Sequence, residues 1–205
     1  MGPSADRRLG QVLEASTRGF IAQAKELHQP PDLGSLVRVE GPPARSRQGG
    51  TTIYAVVTGS KTESLEGRLP IATGWGLADG AAVLREEPHL PKLLRTSFEG
   101  VAVAYDLGDG IRIGLAPSPG VLYGFVEASA EEEAQALAAS LDFLPLLLAG
   151  APVGVAEEAA AACLRRLAQD QADPEAFKLR AGKRLAVLLS NEPVRLASAL
   201  RRLAS

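Results

Sequence analysis

Three short stretches of the chain carry residue types that could do chemistry. Gly59-Ser-Lys-Thr62 follows a β-branched run, where the end of a phosphate-binding loop would stand. A loop of that kind needs Gly directly before the Lys, so that backbone N–H groups can wrap a phosphate, and a helix directly after it. Ser60 takes the Gly position and turn residues follow, so the stretch reads as a strand end passing into a loop. Glu86-Glu-Pro-His89 sets two carboxylates beside an imidazole, and Asp106 and Asp109 are separated by two residues; both hold metal-donor types. Asp106 and Asp109 have no third ligand nearby in sequence. Asp106-Leu-Gly-Asp-Gly110 has the composition that a tight hairpin turn requires for backbone reasons alone. His89 reads as a surface histidine among acids, and His28, beside Gln29-Pro-Pro31, as part of a turn.

The inventory also argues against nucleophilic catalysis. His28 and His89 are the whole supply of imidazole, and no Gly-x-Ser-x-Gly elbow occurs. Cys163, the single cysteine, excludes an intramolecular disulfide and a thiolate zinc cluster. It falls on the apolar face of an Ala-rich helical segment, where an inert buried thiol is expected. We therefore expect no catalytic, cofactor-binding or metal-binding residues, and a protein that is not an enzyme. Trp75, within Ile71-Ala-Thr-Gly-Trp-Gly-Leu-Ala78, is the surface candidate: either an interface anchor or a cap over the open end of a barrel.

Charge gives a second candidate surface. The net charge of −2 divides unevenly: residues 155–205 hold nine Lys/Arg against six Asp/Glu, and residues 1–154 hold 13 against 18. Among the last residues Lys178, Lys183, Arg184, Arg195, Arg201 and Arg202 could face nucleic acid or an acidic partner; the plainer reading is the solvated face of amphipathic helices. Aromatic residues make up only 4% of the chain, little material for a base-stacking platform.

The elements that must carry these residues change character along the chain. Residues 9–16 and 19–27 read as short strands, the second alternating Phe20, Ala22 and Ala24 with Ile21, Gln23 and Lys25. Leu36–Glu40 is a third strand, and Gly41–Gly50 an exposed loop rich in breakers. Thr51–Thr58 is the clearest strand by its β-branched content. Residues 59–97 form a long irregular excursion broken by Gly and Pro. Phe98–Tyr105 and Ile111–Leu115 make a hairpin, and Val121–Val126 a last strand. The period then becomes helical. Ser129-Ala-Glu-Glu132 reads as a capping box opening a helix to about Ala149. Further helices run over about 156–168, from Asp173-Pro174 to about Leu189, and from a cap at Asn191 through Leu196, Leu200 and Leu203.

The expected architecture is α+β: a small antiparallel β-barrel of about six strands over 9–127, then a helical subdomain of about four helices over 128–205. Residues 1–8 are expected to be disordered. They lack the apolar region of a signal peptide, and the most apolar stretch, Leu141–Pro152, is too short to cross a bilayer. A cytoplasmic protein without membrane contact is expected; its oligomeric state stays open.

Several stretches resemble the HAS barrel, the small β-barrel named for HerA-type ATPases and the catalytic subunits of the rotary ATP synthase. They are Gly10-Gln-Val-Leu-Glu-Ala-Ser16, Leu27-His-Gln-Pro-Pro-Asp-Leu-Gly-Ser-Leu-Val37, Thr52-Ile-Tyr-Ala-Val-Val57, Leu90–Phe98 and Ile111–Pro119. Ser140–Leu148 and Ala176–Leu185 resemble the helical part of stand-alone HAS-barrel proteins of bacteria, in which helices follow the barrel in place of an ATPase. In HerA-type proteins the barrel precedes a P-loop motor, helps organise the ring and contacts a NurA-type nuclease. The present chain has no Walker motif. The resemblance therefore implies a protein-interaction or assembly role beside a HerA-type DNA-translocating ATPase or its NurA-type nuclease partner, and transfers no catalytic residue. Nucleic-acid binding through the basic C-terminal helices is the alternative.

Overall fold

A computed structural model describes residues 7–43, 50–65 and 73–204. Most of the N-terminus expected to be disordered, most of the 41–50 loop and part of the excursion lie outside those residues. Among the described residues seven strands form: β1 (Arg8–Ser16), β2 (Gly19–Ala24), β3 (Leu36–Pro43), β4 (Gly50–Ser64), β5 (Leu94–Asp106), β6 (Ile111–Ile113) and β7 (Phe125–Ala128). Antiparallel pairing runs β2-β1-β7-β3-β4-β5, and β2 closes onto β5, so six strands make a closed barrel; β6 adds to β5 alone. The α+β architecture read from the sequence is the one observed.

The barrel interior is narrow. Phe20 and Phe98 meet edge to face, ring centres 6.0 Å apart, and Ala22, Ala24 and Ala55 leave room for the two rings. Val12, Val37, Val39, Val57 and Val126 fill the rest. β4 and β5 are buried on both faces: Ala55 and Val57 point inward, while Tyr54, Val56, Val101 and Val103 pack against the helices. Two-sided burial explains why Thr51–Thr58 is a continuous apolar run rather than an alternating one.

Strand boundaries differ from expectation: β2 ends at Ala24 rather than 27, β3 runs on to Pro43 into the expected loop, and two differences are larger. The last strand is Phe125–Ala128, not 121–126. The preceding residues form a turn in which Tyr123 takes a left-handed φ of 62° and Gly124 N–H donates to Val121 C=O at 3.0 Å. The excursion is shorter than 59–97, because β4 continues to Ser64 and β5 begins at Leu94, with Lys61 opposite Ser97 and Glu63 opposite Arg95. Beyond the core this two-stranded arm is polar, so the apolar signal of a strand is lost while the hydrogen-bond ladder persists. Between its strands lie α1 (Gly80–Glu86), capped by Asp79, whose carboxylate accepts from Ala82 N–H at 2.7 Å, and a 3₁₀ turn at Leu90–Leu93.

Among the described residues the helical layer holds five helices instead of four. The helix expected from 129 to 149 is two, α2 (Glu131–Ser140) and α3 (Leu144–Gly150), broken where Leu141 adopts φ 58°. Pro145 is the cause: its ring has no N–H and collides with the carbonyl four residues back in a continued helix. Full burial of Leu141, Phe143, Leu144 and Leu147 compensates for the left-handed turn. The cap also shifts by one residue. Glu133, not Glu132, reaches back, accepting from Ala130 N–H at 2.6 Å, and Ser129 Oγ is buried with no hydrogen-bond partner among the described residues. α4 (Val155–Gln169), α5 (Pro174–Leu188) and α6 (Pro193–Ala204) follow, with Asp173 capping α5 at 2.9 Å as expected. α6 starts after Asn191, its first turn bonding back to Glu192 C=O.

Ala-rich α4 lies at the centre of this layer, buried through Ala156, Ala159, Ala160, Cys163, Leu164 and Leu167. Gly34, at φ +79°, lets the β2–β3 loop touch it; a Cβ there would strike α4 at Ala162 and the backbone N of Cys163. A polar strap adds to the junction. Arg38 on β3 binds Glu127 at 2.8 Å and Glu133 at 3.2 Å, and Tyr54 OH donates to Glu133 at 3.0 Å. Burial, and then the charge of Glu133, push the Tyr54 hydroxyl pKa up.

Candidate functional site

Most of the residues that first suggested chemistry take part in strands, turns or ion pairs. Lys61 sits within β4 and pairs with Glu63 at 2.8 Å. Asp106 caps its turn, one carboxylate oxygen accepting from the N–H groups of Gly108, Asp109 and Gly110 at 2.6, 3.1 and 3.0 Å. Asp109 pairs with Arg112. His89 lies 3.5 Å from Glu87, and no group of three or more metal-donor side chains gathers among the described residues. His28 occupies a left-handed turn and donates its backbone N–H to Thr96 Oγ1 at 2.7 Å. Burial pushes the Cys163 thiol pKa up to about 12, which leaves it protonated and unreactive. No described helix is long and apolar enough to cross a membrane.

Trp75 lies in a loop beyond the β4–β5 arm, 89% exposed, with Leu77 exposed two residues on. A ring so exposed does not cap the barrel mouth. Gly74, at φ +72°, and a Gly74 C=O to Leu77 N–H bond of 2.9 Å shape the loop, and α1 next to it buries no residue.

The basic C-terminal candidates are spread over α5 and α6, and most are neutralised where they stand. Lys178 pairs with Glu175 at 3.0 Å and Arg184 with Asp142 at 2.9 Å. Arg195 bridges Glu157 and Glu192, and Arg202 pairs with Glu158. Glu157 is buried at the start of α4, where it also accepts from Gly154 N–H at 2.5 Å. Burial raises its carboxyl pKa, but the bonds from Arg195 and from the backbone N–H groups of Glu157 and Gly154 outweigh that and hold it below the ordinary value. Lys183 and Arg201 are exposed, with no ion pair among the described residues.

Sequence reading missed a groove of about 530 Å³ on the barrel wall, between the β1–β2 hairpin and the turn before β7. Arg8 and Lys25 flank it, Gln11 and Gln23 face each other in register, and Tyr123, 73% exposed, stands at the rim. Arg8 lies over the Phe125 ring, 3.8 Å from its centre, and Gln11 Nε2 donates to Tyr123 C=O at 3.3 Å. Neither cation has an ion pair among the described residues, and no carboxylate is among the described lining residues. Other clefts differ. Glu14 and Glu99 line the one beside Gly150–Pro152, and Asp32 and Asp170 the one between barrel rim and α4. The alternation in β2 could have flagged Gln23 and Lys25 as outward-facing; no local signal marks the left-handed turn at Tyr123.

Compared with known protein families and with curated proteins, the chain matches none.

Proposed function

We propose that the protein is a non-catalytic docking module of the HAS-barrel type, an accessory of a HerA-type DNA-translocating ATPase or of its NurA-type nuclease partner. The observation that carries this reading is Trp75, a large amphipathic ring displayed to solvent on a loop whose arm is rooted in the barrel core. A ring held out in this way loses little conformational freedom on binding and supplies a large contact area. The closed six-stranded barrel followed by helices agrees with the architecture that the resemblance implies. Nucleic-acid binding by the C-terminal helices ranks second, because only Lys183 and Arg201 of its candidate cations stand clear of ion pairs among the described residues.

Affinity capture with the tagged protein from nuclease-treated native extract tests the reading. Recovery of a HerA-type ATPase or NurA-type nuclease, lost with Trp75→Ala, is the expected result. ATP hydrolysis by the purified protein, or binding to nucleic acid that weakens steeply with salt while no protein is captured, overturns it.

A further inference from the structure

Resting on the docking reading, we propose that the groove formed by Arg8, Gln11, Gln23, Lys25 and Tyr123 receives a short acidic, partly apolar peptide segment of the partner protein. Charge is the first argument. In the C-terminal helices Arg195, Arg202, Arg184 and Lys178 are each matched by a carboxylate of the same chain. The groove is lined by two cations that have none among the described residues. Arg8 is held by the face of Phe125, a contact that orients the guanidinium yet leaves its positive charge unneutralised. A carboxylate arriving from a partner would form the charge-assisted bonds that the groove itself does not supply.

The second argument concerns the uncharged lining. Gln11 and Gln23 pair across the β1–β2 ladder, where side-chain amides can both donate to and accept from a peptide backbone. Leu13, Tyr123 and Phe125 give the groove apolar lining beside these amides. The left-handed φ of Tyr123 is strained for a side chain of this size, and the ring it carries stands exposed outside the core. A lining of this kind suits an apolar side chain next to the acidic one.

Charge outside the groove selects peptide over nucleic acid. Binding to a nucleic-acid backbone draws on many phosphate contacts at once. Two cations cannot supply them, and residues 1–154, with 13 bases against 18 acids, offer no excess of further ones. A segment with one or two carboxylates needs only the two cations present.

The test uses the full chain, a dodecapeptide of Ser and Leu with two central Asp residues and an uncharged fluorophore, the same peptide with Lys for Asp, and an oligothymidylate competitor. The acidic peptide is expected to bind and to shift the backbone amide resonances of Arg8–Gln11, Gln23–Lys25 and Val121–Phe125. Arg8→Glu with Lys25→Glu should weaken binding at least tenfold, and the Lys peptide should not bind. Lys25→Glu alone, at an exposed position, should weaken it severalfold and guards against misfolding of the double variant. No binding of the acidic peptide up to about 1 mM overturns the inference, as do shifts confined to other surfaces or displacement of the peptide by oligothymidylate. Capture from extract separates the two proposals. A double variant that still retains the ATPase or nuclease leaves the docking reading standing and removes the groove. A groove that binds the peptide in a protein that captures no partner does the reverse.

Discussion

The basic C-terminal helices and the groove on the barrel wall carry positive charge in opposite ways. α5 and α6 hold many cations, but Lys178, Arg184, Arg195 and Arg202 are tied to carboxylates of α2–α6 and their links. The groove holds two, within a region of net negative charge, and both are unmatched among the described residues. The difference teaches that a tally of Lys and Arg along a sequence measures composition, whereas a binding field depends on which charges the fold leaves unpaired. In the helices, charge holds the packing together. In the groove it remains available to a partner.

If that contrast is right, removing a helical acid should damage stability. Glu157→Ala leaves Arg195 without its buried partner and should cost about 3 kcal/mol, read as a lower denaturant midpoint at unchanged slope. Gly34→Ala attacks the junction rather than the charge: the added Cβ meets α4, and a loss of about 2 kcal/mol is expected by the same measurement. The helical ion pairs should also show in the pH dependence. Because the Glu157 carboxyl titrates below its unfolded value, the unfolded chain takes up its proton first as the pH falls. That stabilisation is complete above the ordinary carboxylate range and is lost as the pH drops through the folded pKa. Denaturation midpoints measured through the acid range should therefore fall less steeply for Glu157→Gln than for the unaltered chain.

Lys183→Glu with Arg201→Glu sharpens the comparison from the other side. These exposed helical cations should change stability by no more than about 0.5 kcal/mol, and binding of the acidic peptide by less than twofold. A large loss of peptide binding in this variant would place the working field on the helices. The smallest effect is expected at Cys163, which should resist a maleimide in the native protein and react fully after denaturation.

The fold was legible wherever one local rule acted alone. The β-branched run of β4, the Asp-Gly hairpin and the Asp173-Pro174 cap each sit where the residue pattern placed them. Reading failed where two rules competed. Through residues 129–149 helical periodicity hid the break that Pro145 imposes, and at 121–126 an apolar run concealed a turn containing a left-handed tyrosine. The 59–97 excursion misled because its ladder is built of polar residues, the buried Thr96 and Ser97 included, which leaves no apolar period. Trp75 was visible as a residue type, though its exposure was not. The groove was invisible for a deeper reason: Arg8, Lys25 and Tyr123 meet only through the β1–β2 and β1–β7 registers, which no local pattern encodes.

The closure of the barrel has a consequence for how the chain is made. Gly10 sits opposite Val126 and Phe20 opposite Gly100, so the first hairpin finds its outer neighbours only after most of the barrel sequence exists. Pairing across such separations is slow, since loop-closure entropy is spent before the contacts reward it. During synthesis β1 and β2 leave the ribosome with both outer edges open, and an open edge invites pairing with other chains. The strand that seals β1, at Phe125–Ala128, immediately precedes the helices that cover β4 and β5. Barrel closure and helix docking are therefore late, nearly simultaneous events, and a nascent chain stalled before β7 is the form most exposed to aggregation.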